Sequence, residues 1–572
     1  MSKSADPAGP GAAGKRLVLL AAIMGTFVAG LDATAVNVAL PAIQHDLGGG
    51  LAGQQWVSNA YLLSLGSLIL VGGSLGDVFG ERRIFALGVA GFGATSLLCA
   101  AAPSIELIVA ARGLQGIFGA LLTPSALAVI VNAFPAAERG AAIGSWTAWS
   151  GIAAVVGPFV GGALIDAASW RWIFGINVPF VIGTLVLVRV AIPARAPGGG
   201  HRKVDGAGAV LCAGGLAGPV YGLIRQPAVG WSSPEVAGAL VAGAVLLGVF
   251  FWREARTADP MLPLGLFRRR NFAVGNLETL SMYGGLSITF FMLVLFLQQV
   301  AGFGALEAGL ATLPSTLVMF ALSKRFGGLA DRFGPRRFMG AGPLIAAAGL
   351  AWLARMPARV DYAVDVLPGL LVFSIGLAMT VAPLTATVLA DADESNAGIA
   401  SGINNAVARV AGLLAIAATG AVVAGTFSSQ IDAGLAGRSL SAAGRAAVAT
   451  ARHETLARAG TAGLGPGEAR VVAGAVEGAS VRAFHTGMGI AAGLVALGGL
   501  LGLAGIVDPR RPVAAAGCAG GQLAGAPTDV GECWRVPGPV GVGAPTPAGA
   551  AAGVGAGTGT GTGTGAGAGA GR

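Results

Sequence analysis

Two ionisable residues lie deep inside apolar runs of this 572-residue chain, Asp32 and Arg112. A carboxylate within a hydrocarbon-spanning helix is costly, so it must be paired, hydrated or protonated. Desolvation favours the neutral form, which lets such a group take up and release a proton near neutral pH. Gly25, Ala29, Asp32 and Val36 share one helical face of mostly small residues, which predicts an inward-facing stripe. Arg112 lies about seven residues into its run and Asp32 about nine residues from the end of its own, so both sit roughly 10–14 Å below one surface. Equal depth allows an ion pair in which Arg112, which cannot lose its proton, holds Asp32 ionised until a proton or a cationic substrate competes. Gln115 is one turn deeper and can assist. The alternative is a fixed structural pair, or for Asp32 a plain hydrogen bond to a neighbouring helix. Later in the chain Glu278, Asn404, Asn405 and Arg409 are further polar residues inside apolar runs. Each is a candidate for substrate or proton work, with interhelical structure as the alternative.

The elements that must position these residues follow from composition. Hydrophobic residues make up 54% and charged residues 11%, against roughly 25% charged in soluble domains. Mean hydropathy is +0.74. This excludes a soluble enzyme, a disordered chain and a nucleic-acid binder, and leaves an all-α polytopic membrane protein. A bilayer core needs about 20 apolar residues per helix. Fourteen candidate spans lie near 17–41, 51–73, 84–102, 105–131, 141–165, 172–192, 206–224, 235–252, 272–297, 305–323, 338–354, 365–389, 397–425 and 486–507. With the N-terminus inside, the even-numbered connections and the two tails hold most of the 36 Lys and Arg, among them Arg202, Lys203, Arg268, Arg269 and Arg270. The positive-inside rule thus predicts both termini cytoplasmic.

The chain is expected to divide into a cytoplasmic tail (1–16), a six-helix bundle (17–192), a linker with two extra helices (193–271) and a second six-helix bundle (272–507). Segment 426–485 reads as a long outer loop in which 439–458 could form a surface helix. Residues 508–572 read as a disordered low-complexity cytoplasmic tail. The two bundles carry a repeat between residues 73–83 and 327–337. Gly73 matches Gly327, Leu75 matches Leu329, Asp77 matches Asp331, and Phe79 matches Phe333. Gly80 matches Gly334, Arg82 matches Arg336, and Arg83 matches Arg337. Glycine at 73 and 327 permits close packing, and glycine at 80 and 334 a tight turn. Asp77 and Asp331 can cap a helix end or pair with an arginine, and the arginines anchor the turn at an anionic leaflet. A purely topogenic turn is the alternative, but two copies in register favour a conformational latch. Two parallel repeats about an axis along the membrane normal are how a rocking transporter is built. Gly157, Pro158, Gly161 and Gly162 interrupt the fifth span, where proline bends the helix and the glycines allow tight packing.

The duplicated segment resembles the cytoplasmic loop signature of the major facilitator superfamily. Fourteen spans with a central extra pair resemble its drug:proton antiporter family. Four other stretches resemble that family's motifs: 31–41 the first-span motif, Arg112-Gly113-Leu114-Gln115-Gly116 the fourth-span motif, 157–162 the fifth-span antiporter motif, and Trp170 to Phe174 with Asn177 and Pro179 the start of its sixth span. Ala153 departs from the fifth-span pattern, and Glu81 and Pro335 stand where a basic residue is usual. The resemblance covers about 15–507. It implies the major facilitator fold, proton coupling at Asp32, export by antiport through Gly157 and Pro158, and a bacterial plasma membrane. The expected function is a proton-coupled exporter of lipophilic compounds, cationic drugs, dyes and antibiotics included, working by alternating access. The rivals are a narrow exporter of one metabolite such as a self-made antibiotic, a proton-coupled importer, and a non-transporting scaffold. No cofactor is expected, since no P-loop sequence appears. No metal is expected either, because His45, His201, His453 and His485 lack ligand spacing. Expected partners are the bilayer, protons and small lipophilic substrates, not nucleic acid; the sequence leaves the oligomeric state open, a monomer included. Asp391, Asp393 and Glu394 read as a solvated cytoplasmic loop.

Overall fold

A computed structural model describes residues 12–193, 205–257, 260–390, 397–456 and 458–508. The expectations for Arg202, Lys203, Asp391, Asp393, Glu394 and the tail beyond Asp508 lie outside the described residues, as does the side chain of Asp77. No strand occurs among the described residues. In hydrocarbon every backbone N–H and C=O must be satisfied within the segment, and for runs without two-residue alternation only the helix achieves that.

The first bundle contains α1 (Ala12–Leu47), α2 (Gly50–Phe79), α3 (Glu81–Ala100), α4 (Ile105–Ala133), α5 (Ala136–Ala167), the short α6 (Trp172–Gly175) and α7 (Asn177–Ala191). The extra pair is α8 (Gly206–Val229) and α9 (Pro234–Glu254). The second bundle contains α10 (Arg270–Phe296), α11 (Ala305–Ala311), α12 (Leu313–Phe333), α13 (Pro335–Leu353), α14 (Leu367–Ala390), α15 (Ala397–Leu435) and α17 (Pro466–Gly505), with α16 (Ala442–His453) between the last two. Twelve described helical segments are long and apolar enough to cross a bilayer. Two of the fourteen expected spans fall outside that set. In α5 the stretch that qualifies as apolar is only Val156–Ala167, and α13 is 19 residues opening on Pro335-Arg336-Arg337.

The packing repeats as the sequence does. In the first bundle α1 packs on α5 and α7, α3 on α4 and α7, and α2 on α4; in the second, α10 packs on α15 and α17, α13 on α14 and α17, and α12 on α14. The seams between bundles follow the same exchange, α2 against α15 and α5 against α11. The turn of the repeated motif is built alike in both bundles. Gly80 (φ 92°) and Gly334 (φ 87°) occupy matching left-handed turns that side chains disfavour. Arg82 Nη2 donates to the Arg189 carbonyl near the end of α7 at 3.3 Å, and Arg336 Nε to the Leu503 carbonyl near the end of α17 at 2.7 Å. The matched arginines therefore tie the third helix of each bundle to its sixth, while Arg83 and Arg337 are exposed.

Two parts of the motif depart from expectation. Gly327 is buried on α12, whereas its match Gly73 is half-buried, and a Cβ at 73 would meet the Pro124 Cβ only at 3.8 Å, an ordinary contact. The close approach in the first bundle falls one residue earlier, at Gly72, where a Cβ would lie 2.0 Å from the Ala120 carbonyl oxygen. Of the two roles expected for Asp331, a helix cap or a pair with an arginine, its place does not favour the cap: it lies half-buried in the last turn of α12. That is the C-terminal end, whose free carbonyls disfavour a carboxylate. The start of α13 takes its carboxylate from Asp508 instead, whose Oδ1 accepts from the Arg336 amide at 3.1 Å. The fold thus brings in a residue from beyond α17 to hold that helix start.

The extra pair covers one seam. Leu216, Val220 and Ile224 of α8 pack with Leu413 and Ala417 of α15 and against Trp56 and Leu62 of α2. Helix α9 turns Val241, Val245 and Trp252 outward, more than half exposed, as a lipid-facing surface requires.

The segment expected to be a long outer loop, 426–485, is mostly helical. Helix α15 continues to Leu435 and α17 already begins at Pro466. Bilayer thickness set the expected boundary, but nothing in 426–435 breaks a helix, and Phe427 and Ile431 are buried. At 39 and 40 residues these helices run about 60 Å, well beyond a hydrocarbon core of about 30 Å. Within the expected surface helix, α16 is capped by Ser441, whose Oγ accepts from the Gly444 amide at 3.0 Å.

Candidate functional site

Helix α1 carries Asp32 into the first bundle, where it is fully buried. The stripe expected to face inward does so: Gly25 lies where a Cβ would meet the Phe85 ring at 2.8 Å, and Asp32 and Val36 are buried. Helix α4 starts at the Ser104 cap and places Arg112 and Gln115 on its buried face, opposite Asp32. Arg112 Nη1 donates to Asp32 Oδ2 at 2.5 Å. Gln115 Nε2 and Asn177 Nδ2 donate to Asp32 Oδ1 at 3.1 and 3.2 Å.

The cation is held as firmly as the anion. Arg112 also donates to Gln115 Oε1 at 2.7 Å and to the Val57 carbonyl at 3.2 Å, and its guanidinium lies 4.3 Å from the Tyr61 ring centre. Behind Asn177, its Nδ2 donates to Ser96 Oγ at 3.0 Å, and Ser96 in turn donates to the Phe174 carbonyl at 2.9 Å. Buried charges are retained when paired and hydrogen-bonded, and here both carboxylate oxygens and the guanidinium have partners. Such an arrangement can exchange one proton for one charge interaction. A proton on Asp32 cancels the pair, while Gln115, the Val57 carbonyl and the Tyr61 ring still hold Arg112.

Sequence reasoning singled out Asp32, Arg112 and Gln115. It passed over Ser96 and Tyr61, and quoted Asn177 without giving it a role. The available signal was polar residues on otherwise apolar helices, all within a turn or two of equal depth.

Helix α5 reaches this site from the other side. A Cβ on Gly157 would lie 2.0 Å from Thr34 Oγ1, and one on Gly161 would lie 3.0 Å from the Ala35 Cβ. Gly162 faces the second bundle, 2.5 Å from the Leu306 Cα by the same measure, and the Pro158 carbonyl packs on Gly309. The motif therefore lets α5 touch α1 and α11 at once. Asp166 Oδ2 accepts from the Leu306 amide at 3.0 Å beside it. Nearby, Gln298 donates to the Val38 carbonyl, Gln299 to Gln44 Oε1, and Gln55 to the Ile416 carbonyl, at 2.9, 3.0 and 2.7 Å. All these links lie towards the face where α1 ends, so the bundles are closed there.

The second-bundle candidates do not form a matching network. Glu278 is fully buried against α13 and α17: a Cβ on Gly502 would lie 2.9 Å from its Oε2 and 2.6 Å from the Met339 carbonyl. Neither carboxyl oxygen has a hydrogen-bond partner. A buried carboxyl without a protein partner is costly in such a place, which sets Glu278 apart from the paired Asp32. Asn404 turns to the other face of α10 and donates to Asn276 Oδ1 and Thr279 Oγ1 at 3.1 and 2.8 Å. Asn405 is buried on the following position. Arg409 lies one turn further, at the α2 seam, with its Cβ 3.3 Å from where a Gly66 Cβ would stand. The structure thus joins Asp32, Arg112 and Gln115, and leaves Glu278 and Arg409 apart from them and facing different helices. Gly327 and Asp331 lie at the far end of α12, on the motif turn and away from this site.

Comparison with known proteins agrees with this architecture. The family model described as the Major Facilitator Superfamily matches residues 22–416. The tetracenomycin C resistance and export protein of Streptomyces glaucescens is 36% identical over 71% of this chain and 75% of its own. The puromycin resistance protein of Streptomyces alboniger is 36% identical over 70% and 80%. The multidrug resistance protein Stp of Mycobacterium tuberculosis (strain ATCC 25618 / H37Rv) is 34% identical over 73% and 77%. Among solved structures, an auto-inhibited peptide transporter of the POT family aligns with a TM-score of 0.58 at 15% identity, covering 88% of this chain and 99% of that one. The inward-open xylose transporter XylE from E. coli aligns at 0.52 and 12% identity over 87% and 97%; likeness at this level concerns the fold alone. With a family model across most of its helices and relatives this similar along more than two thirds of both chains, the chain belongs to the major facilitator superfamily and is a transporter, not an enzyme.

Proposed function

We propose that the protein exports lipophilic small molecules of antibiotic type in exchange for protons. The observation that carries this reading is the buried Asp32–Arg112 pair, a carboxylate of α1 that takes its donors from two other helices, α4 and α7, inside the bundle. The names of the relatives, which speak of resistance and export, point the same way. All fourteen expected spans, those of α5 and α13 included, cross the cell membrane, with both termini cytoplasmic as the loop charges require. The face closed by α5 and α11 is then the outer one, and substrate enters from the cell interior when the opposite face opens. Rocking about the two seams carries Asp32 between aqueous phases. A proton taken up outside cancels the Asp32 charge, and its release inside restores the pair, so each state is favoured by what it binds. The repeated arginine turns at Arg82 and Arg336 keep each bundle rigid during that movement. Gln115 orients the pair, and Gly157, Pro158, Gly161 and Gly162 form the outer closure.

A narrower reading, export of a single antibiotic, draws support from relatives named for one compound, the tetracenomycin C protein among them. Inverted membrane vesicles with an imposed pH gradient separate these readings. Compounds from several lipophilic classes are added to vesicles bearing the wild type or Asp32→Asn. Collapse of the gradient by many compounds, absent in the variant, supports broad antiport through Asp32. A response to one class alone supports the narrow reading. A wild-type response that survives in Asp32→Asn moves coupling to another residue.

A further inference from the structure

The interior of the described structure holds one cation that no carboxylate answers. Asp32 is taken by Arg112, and Glu278 faces α13 and α17. Among the described residues Arg409 takes part in no ion pair, and its buried Nε has no hydrogen-bond partner. Arginine stays charged, and an unmatched charge at membrane depth marks a substrate or ion path.

Its surroundings define a site. Arg409 lies twelve residues into α15, about 18 Å along the helix, and packs against Gly66 of α2. On α10, Ser287 Oγ stands 2.5 Å from where a Cβ on Gly412 would lie; Tyr283 is one turn before Ser287 and Arg409 about one turn before Gly412, while Tyr61 is on α2. Tyr283 lies thirteen residues into α10, at matching depth. It is 5% exposed and its hydroxyl has no partner. Tyr61 belongs to the other bundle, where its ring is already stacked under Arg112. The site therefore spans the seam that opens and closes, with one fixed cation, one unused hydroxyl and aromatic surface from both bundles. The other charged groups on the packed helices are Arg270 and Glu278 on α10, Asp77 on α2, Arg225 on α8, Asp432 on α15, and Glu468, Arg470, Glu477 and Arg482 on α17. Those of α8, α15 and α17 lie near the outer ends or beyond, while Arg270 and Asp77 lie at the opposite ends of their helices.

We propose that Arg409, with the Tyr283 hydroxyl as second donor, binds the negative group of a lipophilic monoanion, a carboxylate or acidic phenol, so that this exporter prefers acids to cations. This rests on the reading of the chain as a small-molecule exporter and names its substrate class. One guanidinium and one hydroxyl match one negative charge, and a cationic ligand would meet like charge in a place of low dielectric.

The test is equilibrium binding to the full-length protein in lipid nanodiscs, with no gradient, using anthracene carboxylate and the uncharged anthracene carboxamide as fluorescent probes. Wild type should bind the carboxylate roughly tenfold to a hundredfold more tightly, the scale of a charge-assisted hydrogen bond. Arg409→Gln should erase that ratio by weakening the carboxylate alone, so retained carboxamide binding reports a folded site. Arg409→Lys should keep part of the ratio, and Tyr283→Phe should reduce it several-fold. Should Arg409→Gln fail to fold, the latter two variants carry the test. Equal binding of the two probes, no carboxylate binding to wild type, or a ratio that survives the loss of the guanidinium overturns the proposal. Failure of proton antiport in vesicles would leave this ratio intact, so the two readings fail separately.

Discussion

Helices α1 and α10 open their bundles, occupy matching places and each carry one buried carboxyl. Asp32 receives donors from Arg112, Gln115 and Asn177. Glu278 receives none and lies against Gly502 and the Met339 carbonyl. The repeat is therefore kept at the helix turns, where Gly80 and Gly334, and Arg82 and Arg336, act alike in both bundles. It is abandoned in the interior. One bundle holds a carboxylate paired with a guanidinium, and the other a buried carboxyl and an arginine that do not meet. A duplicated scaffold can thus separate proton handling from substrate recognition, because rocking needs symmetry in the frame and not in the charges.

The largest effect should come from breaking the pair. Arg112→Leu leaves Asp32 buried and unpaired, which costs about 3–5 kcal/mol. Thermal unfolding in detergent should fall accordingly and the vesicle response should vanish. The double variant Asp32→Asn with Arg112→Leu should recover much of the stability but none of the transport, because the pair couples the two losses. Next comes the closure. Gly162→Val places a side chain where Leu306 already stands, an overpacking cost of about 1–3 kcal/mol against the closed face. A cysteine at position 44 should then react faster with a membrane-impermeant thiol reagent. Asn177→Ala removes one donor to Asp32 Oδ1 and leaves the others, so stability should fall by about 1–3 kcal/mol and the vesicle response should weaken without vanishing. The smallest effect should belong to Glu278→Gln, which replaces a carboxyl without partners by an amide of similar shape. Stability should change by less than about 0.5 kcal/mol and the pH profile should stay where it is. A vesicle response weakened by Glu278→Gln as much as by Asn177→Ala would erase the contrast between the bundles.

Much of this was legible in the residues. Long apolar runs gave the helices, because their length and lack of alternation leave no other way to satisfy the backbone in lipid. The paired motif at 73–83 and 327–337 gave the two bundles, and equal depth brought Asp32 to Arg112. What escaped was set by rotation about helix axes and by contacts distant in sequence. Glu278 and Asn404 both read as inward polar residues, yet one faces α13 and α17 while the other meets α10 on a different face. Nothing near the motif showed that Asp508, far along the chain, would accept from the Arg336 amide at the start of α13. Ser96 and Asn177 were hidden because a single small polar residue on an apolar helix looks like ordinary packing until its neighbours are known. The outer helices ran past their expected ends because the bilayer bounds a hydrophobic run, not a helix.

The most direct measurement is pH-difference infrared spectroscopy of the carboxyl stretch on purified protein in lipid, comparing wild type with Asp32→Asn and Glu278→Gln. A neutral acid absorbs apart from a carboxylate, so the method sees which carboxyl gains the proton. The wild type should show a band that grows on acidification through the transport range. That band should disappear in Asp32→Asn and persist in Glu278→Gln. A growing band that survives in Asp32→Asn and disappears in Glu278→Gln would place proton exchange in the second bundle and contradict the account.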